Sequence, residues 1–151
     1  MKILIVLSSA LFLTGCFDNE EAQDSNQENL SANTPAGKTI SNNNTRIGQA
    51  VFEKNCLSCH GKEAQGLTKD WKKRDENGKY PAPPLNGTAH AWHHSPKVLM
   101  STIDNGGVKL GGWMPGFKDR LSEDEKQAVV DYIYGLWPAE LQEKYDARFK
   151  K

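Results

Sequence analysis

The chain has 151 residues and a formal net charge of zero, with 19 Lys and Arg against 19 Asp and Glu. This balance excludes the extended basic surface that nucleic acid requires, so we predict no nucleic-acid partner. The length allows one ordinary globular domain with additional segments.

Residues 1–15 have the pattern of an export signal. Lys2 precedes an apolar run at 3–13 that is too short to span a bilayer comfortably. The run ends in Leu-Thr-Gly-Cys, which resembles a bacterial lipobox. The resemblance implies that Cys16 becomes the lipidated N-terminus of an exported protein, anchored to a bacterial membrane with its domain on the periplasmic side. An ordinary secretory signal with a chance cysteine is the alternative interpretation.

Residues 16–44 differ in composition from the rest of the chain. They are rich in Asn, Gln, Ser and acidic residues and almost lack large apolar ones. Such a segment cannot bury enough surface to offset its ordering entropy, so we predict a disordered acidic linker. Residues 46–151 carry 17 Lys and Arg against 14 Asp and Glu, which makes the predicted domain at 45–151 mildly basic.

Helical periodicity dominates the predicted domain. Thr45 is the expected cap of a first helix that runs to about Cys56. Ser95 and Pro96 predict the start of a second helix that ends at Asn105, before two glycines. Ser122 and Glu125 form the capping box that predicts the start of the third helix, and Pro138 ends its pattern. Residues 139–151 have the spacing of a further, short amphipathic helix. No segment alternates convincingly as strands do, so the predicted fold is all-α with long loops.

The sequence Cys-Leu-Ser-Cys-His at residues 56–60 is the pattern of c-type haem attachment. The Cys56 and Cys59 thiols would form thioether bonds to one covalent haem, and His60 would be the proximal iron ligand. A zinc half-site or a redox-active cysteine pair is the alternative, but four zinc ligands need a second Cys/His pair. With Cys16 assigned to lipid, no cysteine remains for a disulfide.

A carrier haem needs a second axial ligand from the protein. The candidates are Met100, Met114 and the histidines at 90, 93 and 94. Met114 lies in a glycine-rich loop that can bring its thioether to the iron, whereas Met100 lies within a predicted helix beside Leu99 and is better suited to a core role. We therefore predict that Met114 is the second axial ligand of the haem iron.

These motifs resemble those of class I c-type cytochromes, across nearly all of residues 45–151. The resemblance implies one haem wrapped by helices and loops, with two terminal helices that cross. It also implies that the Pro83 carbonyl accepts the His60 ring proton, that Leu85 packs on the porphyrin and that Trp92 bonds a haem propionate. The residues that match the crossing helices are Gly48, Phe52, Val129 and Tyr132.

Two segments depart from the compact family pattern. Residues 62–81 form a longer loop with Trp71 and the run Lys72-Lys73-Arg74, which is either a docking patch or an ordinary solvated face. Three neighbouring histidines, His90, His93 and His94, suggest a metal site as an alternative to exposed or propionate-bonded side chains.

The function we predict is a membrane-tethered electron carrier between respiratory partners, not an enzyme, because two protein ligands leave no open iron position for substrate. Lysines near the haem edge would steer an acidic redox partner (the candidates are Lys62, Lys109 and Lys118). Two alternatives remain open: a peroxidase or gas sensor with a displaceable Met114, and a copper-handling protein that uses the histidine cluster.

Overall fold

The computed structural model describes residues 42–150, which contain five α-helices, two 3₁₀ turns and no strand beyond one isolated bridge. The predicted all-α fold is confirmed. No helix among these residues is long and apolar enough to cross a membrane. The helices are α1 (Asn42–Asn55), α2 (Leu57–His60), α3 (Pro96–Asn105), α4 (Glu123–Gly135) and α5 (Ala139–Phe149), and the 3₁₀ turns are Ala91–His93 and Val108–Leu110.

Helix α1 begins at Asn42, so Thr45 lies inside the helix and the prediction that Thr45 caps it is wrong. The first six residues of α1 are all exposed, and burial begins at Gly48. Once the packed part of a helix has formed, each further residue adds a hydrogen bond at little cost, so exposed residues before it can extend it. The helix thus takes in the last three residues of the predicted linker.

Helices α1 and α4 cross in direct backbone contact at Gly48. A Cβ atom there would lie 2.1 Å from the carbonyl oxygen of Ala128 and 2.8 Å from Cβ of Tyr132. Only glycine permits this approach. Beside the crossing, Phe52 and Val129 are almost completely buried, at 1% exposure each, and the Phe52 and Tyr132 rings are 5.4 Å apart. The predicted pairing of these four residues is therefore present.

The later helices begin where their capping residues predict. The Ser95 side chain accepts from the Val98 amide, and Pro96 is the first residue of α3. The Ser122 hydroxyl accepts from the Glu125 amide while the Glu125 carboxylate accepts from the Ser122 amide, which completes the predicted capping box.

Helix α5 covers the other end of the core with an aromatic cluster. Tyr145 is 3% exposed and Trp137 is 3% exposed, and their ring centroids are 4.9 Å apart. The indole Nε1 of Trp137 donates to the Leu85 carbonyl at 2.7 Å. This bond ties the connection between α4 and α5 to the loop that follows the predicted attachment segment, across 52 residues of sequence.

Candidate haem site

The Cys-x-x-Cys-His segment continues the backbone ladder of α1. The Cys56 amide donates to the Phe52 carbonyl at 2.8 Å, and the His60 amide donates to the Cys56 carbonyl at 2.9 Å. Neither Cys56 nor Cys59 forms a disulfide, and the first is half-buried while the second is exposed. Burial, and secondarily the neighbouring Cys59, raise the pKa of the Cys56 thiol to about 11, so this thiol is neutral at neutral pH.

The His60 imidazole is buried, at 7% exposure, and its orientation is fixed by one hydrogen bond. Its Nδ1 lies 2.9 Å from the Pro83 carbonyl oxygen, as the resemblance implied. A carbonyl can only accept, so Nδ1 carries the proton and the lone pair of Nε2 is left for a metal. Burial lowers the pKa of His60 against the opposing effect of the Pro83 bond, which favours the neutral form that ligates iron.

The Pro83 carbonyl is held in place by a lattice of loop hydrogen bonds. The carbonyl of Ala64, a fully buried residue with a left-handed φ of 52°, accepts from Leu85 at 2.7 Å and from Asn86 at 3.3 Å. On the other side of Pro83, the Leu67 amide donates to the Ala82 carbonyl at 3.0 Å. The loop around Pro83 therefore holds this carbonyl, the hydrogen-bond acceptor of His60, on a fixed backbone.

Met114 lies half-buried in a loop without helical structure, held against the end of α3. The Gly107 amide donates to the Met114 carbonyl at 2.9 Å, and the Phe117 amide donates to the Ile103 carbonyl at 2.8 Å. Gly106 has a φ of 73°, and a Cβ there would lie 2.5 Å from the Met114 carbonyl oxygen. Any other residue at 106 would be strained and would push the loop away.

A buried ion pair supports the same end of α3 from α4. Lys126 is 1% exposed, and its Nζ lies 2.6 Å from Oδ1 of Asp104 and also contacts Glu123. The hydrogen bonds that Lys126 donates, first to Asp104 and then to Glu123, raise the pKa of Lys126. The Asp104 carbonyl in turn accepts from the Lys118 amide at 3.3 Å. The ion pair is therefore linked to the residue that directly follows the loop at residues 111–117, which we call the methionine loop.

The other predicted haem contacts lie near this site without a role fixed by the geometry. Leu85 is partly buried against the core. Its amide donates to the Ala64 carbonyl, and its carbonyl accepts from the Trp137 indole. Trp92 lies in the first 3₁₀ turn with its ring against His93, at a centroid distance of 3.8 Å. Its bond to a propionate, and the porphyrin contact of Leu85, stay predictions.

The histidine cluster does not form the metal site that we considered. Among residues 42–150, no group of three His, Cys, Asp or Glu side chains is arranged to hold a metal ion. The His90 ring stacks on Trp71 at 4.9 Å and meets His94 edge-on, whereas His93 turns to Trp92. Burial lowers the pKa of His90, with the neighbouring histidines adding to the effect. The three-histidine metal site, which we considered as an alternative, is therefore not formed among residues 42–150, because His93 packs on Trp92 while His90 lies against Trp71 and His94.

The basic residues proposed for docking divide into two groups. Lys62, Lys109 and Lys118 are exposed, as a docking role requires. Within the run at 72–74, however, the Arg74 guanidinium lies 4.2 Å from the centre of the Tyr80 ring and donates to the Gly78 carbonyl at 2.6 Å. Arg74 is thus used inside its own loop.

The chemistry of these residues fits a covalently bound haem. Two unpaired thiols and a neutral imidazole with one free nitrogen are the donor set that attachment requires. The fold also leaves large apolar side chains exposed, and six of them lie between the attachment motif and Met114, where an apolar porphyrin would need partners. These six are Leu67, Tyr80, Val98, Val108, Leu110 and Trp113.

Three contacts of this region were missed from the sequence. The burial of Lys126 gave no signal, because lysine is almost never buried unless paired. The bond from Trp137 to the Leu85 carbonyl joins two distant segments. The third is the hydrogen bond from Trp113 to Asp75. The series Asp-Glu-Asn-Gly at 75–78 is typical of a turn, so the sequence could have placed Asp75 in a turn but could not have identified Trp113 as its partner.

Comparison with known proteins agrees with this arrangement. Residues 43–133 match the family model described as cytochrome c oxidase, cbb3-type, subunit III. The cbb3-type cytochrome c oxidase subunit CcoP of Rhodobacter capsulatus is 38% identical over 96 residues, which cover 59% of this chain and 28% of that protein. Cytochrome c6 of Cladophora glomerata is 33% identical over 88 residues, which cover 58% of this chain and 82% of that protein. No solved structure matches.

The fold and the site define a class I, mono-haem c-type cytochrome, which carries a covalently bound haem c. Within that class, the chain belongs to the family of cbb3-type cytochrome c oxidase subunit III. The matched region spans less than a third of the R. capsulatus subunit.

Proposed function

We propose that this protein carries single electrons on a haem c with His60 and Met114 as the axial ligands of the iron. When bound, the haem supplies one-electron redox chemistry. His60 is held in the ligating tautomer by the Pro83 carbonyl at 2.9 Å, and this is the observation that carries the proposal. Met114 stands in a loop anchored through its own carbonyl to Gly107.

The protein contributes to redox chemistry by holding two ligands and excluding water. A bond from His60 to a backbone carbonyl fixes the ring and raises its basicity as a ligand. A thioether as the second ligand raises the reduction potential relative to a second histidine. With both positions occupied, no substrate reaches the iron, so the protein acts as a carrier and not as an enzyme.

We also propose that the carrier exchanges electrons with a membrane-bound oxidase or another respiratory protein. The relatives named as oxidase subunits support an oxidase partner. Exposed lysines at 62, 109 and 118 would favour an acidic docking surface on the partner and speed its encounter. The contact would be small and short-lived, as is usual for electron-transfer complexes.

The proposed location is the periplasmic side of a bacterial membrane, with a lipid on Cys16 as the tether. Cys16, the signal at 1–15 and nearly all of the linker at 16–44 lie outside the described residues. The Cys16→Ser variant should appear in the soluble fraction after export, with its haem still attached. Membrane fractionation that is unchanged from wild type would contradict the tether.

The electron-carrier proposal is tested by an optical spectrum of the purified protein, oxidised and reduced, with carbon monoxide added to the reduced form. We expect a low-spin spectrum, a far-red band from sulfur bound to iron, and no response to carbon monoxide. The Met114→Ala variant should keep its haem, lose the far-red band and bind carbon monoxide. Met100→Ala is the matched control, since Met100 lies half-buried within α3.

Two results would change the conclusion. A wild-type protein that binds carbon monoxide readily would favour a peroxidase or gas sensor with an open iron. A Met114→Ala variant that keeps the native low-spin spectrum would show that another residue is the second ligand.

A further inference from the structure

The long loop at 62–81 contains a turn whose geometry is fixed by a single carboxylate. Oδ1 of Asp75 accepts from the amides of Asn77 at 2.9 Å and Lys79 at 2.8 Å. The Asp75 amide donates to the Lys79 carbonyl at 2.8 Å. The Arg74 guanidinium closes the turn from outside through the Gly78 carbonyl. Since these bonds use only Oδ1, the second carboxylate oxygen is available to another segment.

That second oxygen meets the residue immediately before Met114. The indole Nε1 of Trp113 donates to Oδ2 of Asp75 at 2.7 Å, across 38 residues of sequence. Trp113 is 53% exposed, so burial alone does not fix its side chain. A charge-assisted hydrogen bond of this length is therefore the contact that determines where the indole lies.

A backbone contact joins the same two segments. The Tyr80 amide donates to the Gly111 carbonyl at 2.8 Å, and Tyr80 and Gly112 form an isolated parallel bridge. The methionine loop is thus held on one face by Ile103 of α3 and by Gly107, just beyond the end of that helix, and on another by the turn at residues 75–80. Neither segment is helical, so each depends on the other for its position.

We propose that the turn at residues 75–80 is a clamp that positions Met114 for the iron, with Asp75 as the positioning residue acting through Trp113. This inference rests on the proposed function, because it takes Met114 as the second ligand. A ligand in a free loop must lose conformational entropy each time it binds. A clamp that orders the loop beforehand removes part of that cost and makes Met114 harder to displace.

The first test compares two tryptophan variants of the haem-loaded protein. Trp113→Phe keeps an aromatic ring and removes the donor to Asp75. Trp71→Phe is its matched control, because Trp71 lies in the same long loop as Asp75 but its ring stacks on His90. A hydrogen bond to a charged group is stronger than one between neutral groups, so its loss should loosen the hold on Met114. We therefore expect reduced Trp113→Phe to bind carbon monoxide severalfold faster than wild type, and reduced Trp71→Phe to bind it at the wild-type rate.

A second pair of variants tests the carboxylate. Asp75→Ala should weaken the far-red band and lower the reduction potential, because both depend on how firmly the thioether is bound. Asp70→Ala removes a carboxylate that makes no hydrogen bond within residues 42–150, and it should leave both unchanged. The double variant with Trp113→Phe should be no worse than Asp75→Ala alone, since the two residues act through one bond.

The outcomes separate this inference from the proposed function. Equal carbon monoxide binding rates for Trp113→Phe and Trp71→Phe, with a normal far-red band in wild type, would overturn the clamp and leave Met114 as the ligand. A wild-type protein without the far-red band would overturn both. A change in thermal unfolding alone, with an unaltered band and potential, would make Asp75 merely structural and would also overturn the clamp.

Discussion

The attachment segment at 56–60 and the methionine loop at 111–117 would hold the same iron, yet the chain builds them in opposite ways. The first is helical, and its backbone bonds reach back only four residues, to Phe52 and Cys56. The second contains no helix, and its bonds run to Tyr80, Ile103 and Gly107. Only the His60 side chain of the first segment depends on a distant group, through Pro83.

The difference follows from the bonds that each segment is expected to make. Two thioethers are covalent, so the attachment segment needs only the correct local spacing of Cys56, Cys59 and His60. A thioether on iron is a weak, reversible bond, so Met114 must be held in position by the rest of the fold. The methionine loop is therefore the part that remote substitutions should loosen first.

The largest expected effect is a loss of stability at the crossing of α1 and α4, because the attachment segment continues directly from α1. In Gly48→Ala the new Cβ would lie 2.1 Å from the Ala128 carbonyl oxygen, and this neighbour is backbone that cannot rotate away. Overpacking of this kind costs about 3 kcal/mol or more when the helices must separate. Chemical unfolding followed by circular dichroism measures the loss.

Gly135→Ala is the control for this substitution on the same pair of helices. A Cβ at Gly135 would meet nothing within 4 Å, so the change should be neutral or stabilising by up to about 1 kcal/mol. Equal stabilities for the two alanine variants would contradict the proposed role of the crossing.

An intermediate effect is expected from Lys126, behind the methionine loop. Lys126→Met removes the partner of Asp104, whose side chain is only 27% exposed and whose carbonyl accepts from Lys118. The variant should unfold at a lower denaturant concentration and show a weaker far-red band, while its haem stays attached. The raised pKa of Lys126 means that the pair is complete below pH 10.5 and is lost only at higher pH, so neutral buffer is suitable.

Lys144→Met provides the matched control, because Lys144 pairs with Glu140 on the exposed face of α5. Surface pairs contribute little, so this variant should resemble wild type in both measurements. If Lys126→Met and Lys144→Met behaved alike, the buried pair would not support the methionine loop.

The contrast between the two segments also explains what the sequence could predict. Local signals were sufficient for the attachment motif, for the start of α3 at Pro96 and for the capping box at Ser122. The bond from His60 to Pro83 was expected only through a family resemblance. Each of these depends on residues that are close in sequence or on a known motif.

Contacts between loops were beyond such reasoning. The Trp113–Asp75 bond spans 38 residues of irregular chain, and its geometry is decided by where both loops finish packing. The histidines at 90, 93 and 94 give a second example. The His90 and His94 rings are 5.2 Å apart, but the His93 ring packs on Trp92, so proximity in sequence does not bring all three rings to one point. Side-chain patterns specify elements, whereas partners between loops follow from tertiary packing.

The smallest expected effect is a pH dependence of the methionine loop. The Lys79 amide first, and then the Trp113 indole, lower the pKa of Asp75 below its usual value of 3.8. A depressed pKa means that the contribution of the carboxylate is complete above 3.8 and is lost as the pH falls through the lower value in the folded protein. Asp75→Asn cannot titrate, and its single acceptor oxygen cannot serve both the turn and Trp113.

The far-red band of wild type and Asp75→Asn, recorded over falling pH, tests this dependence. The two proteins should differ at neutral pH and become more alike in acid, because protonation of Asp75 removes the charge that the variant lacks at every pH. General acid unfolding affects both proteins and cancels in the comparison. A difference that stayed constant down to the lowest pH at which both remain folded would mean that the charge on Asp75 is not what holds Trp113.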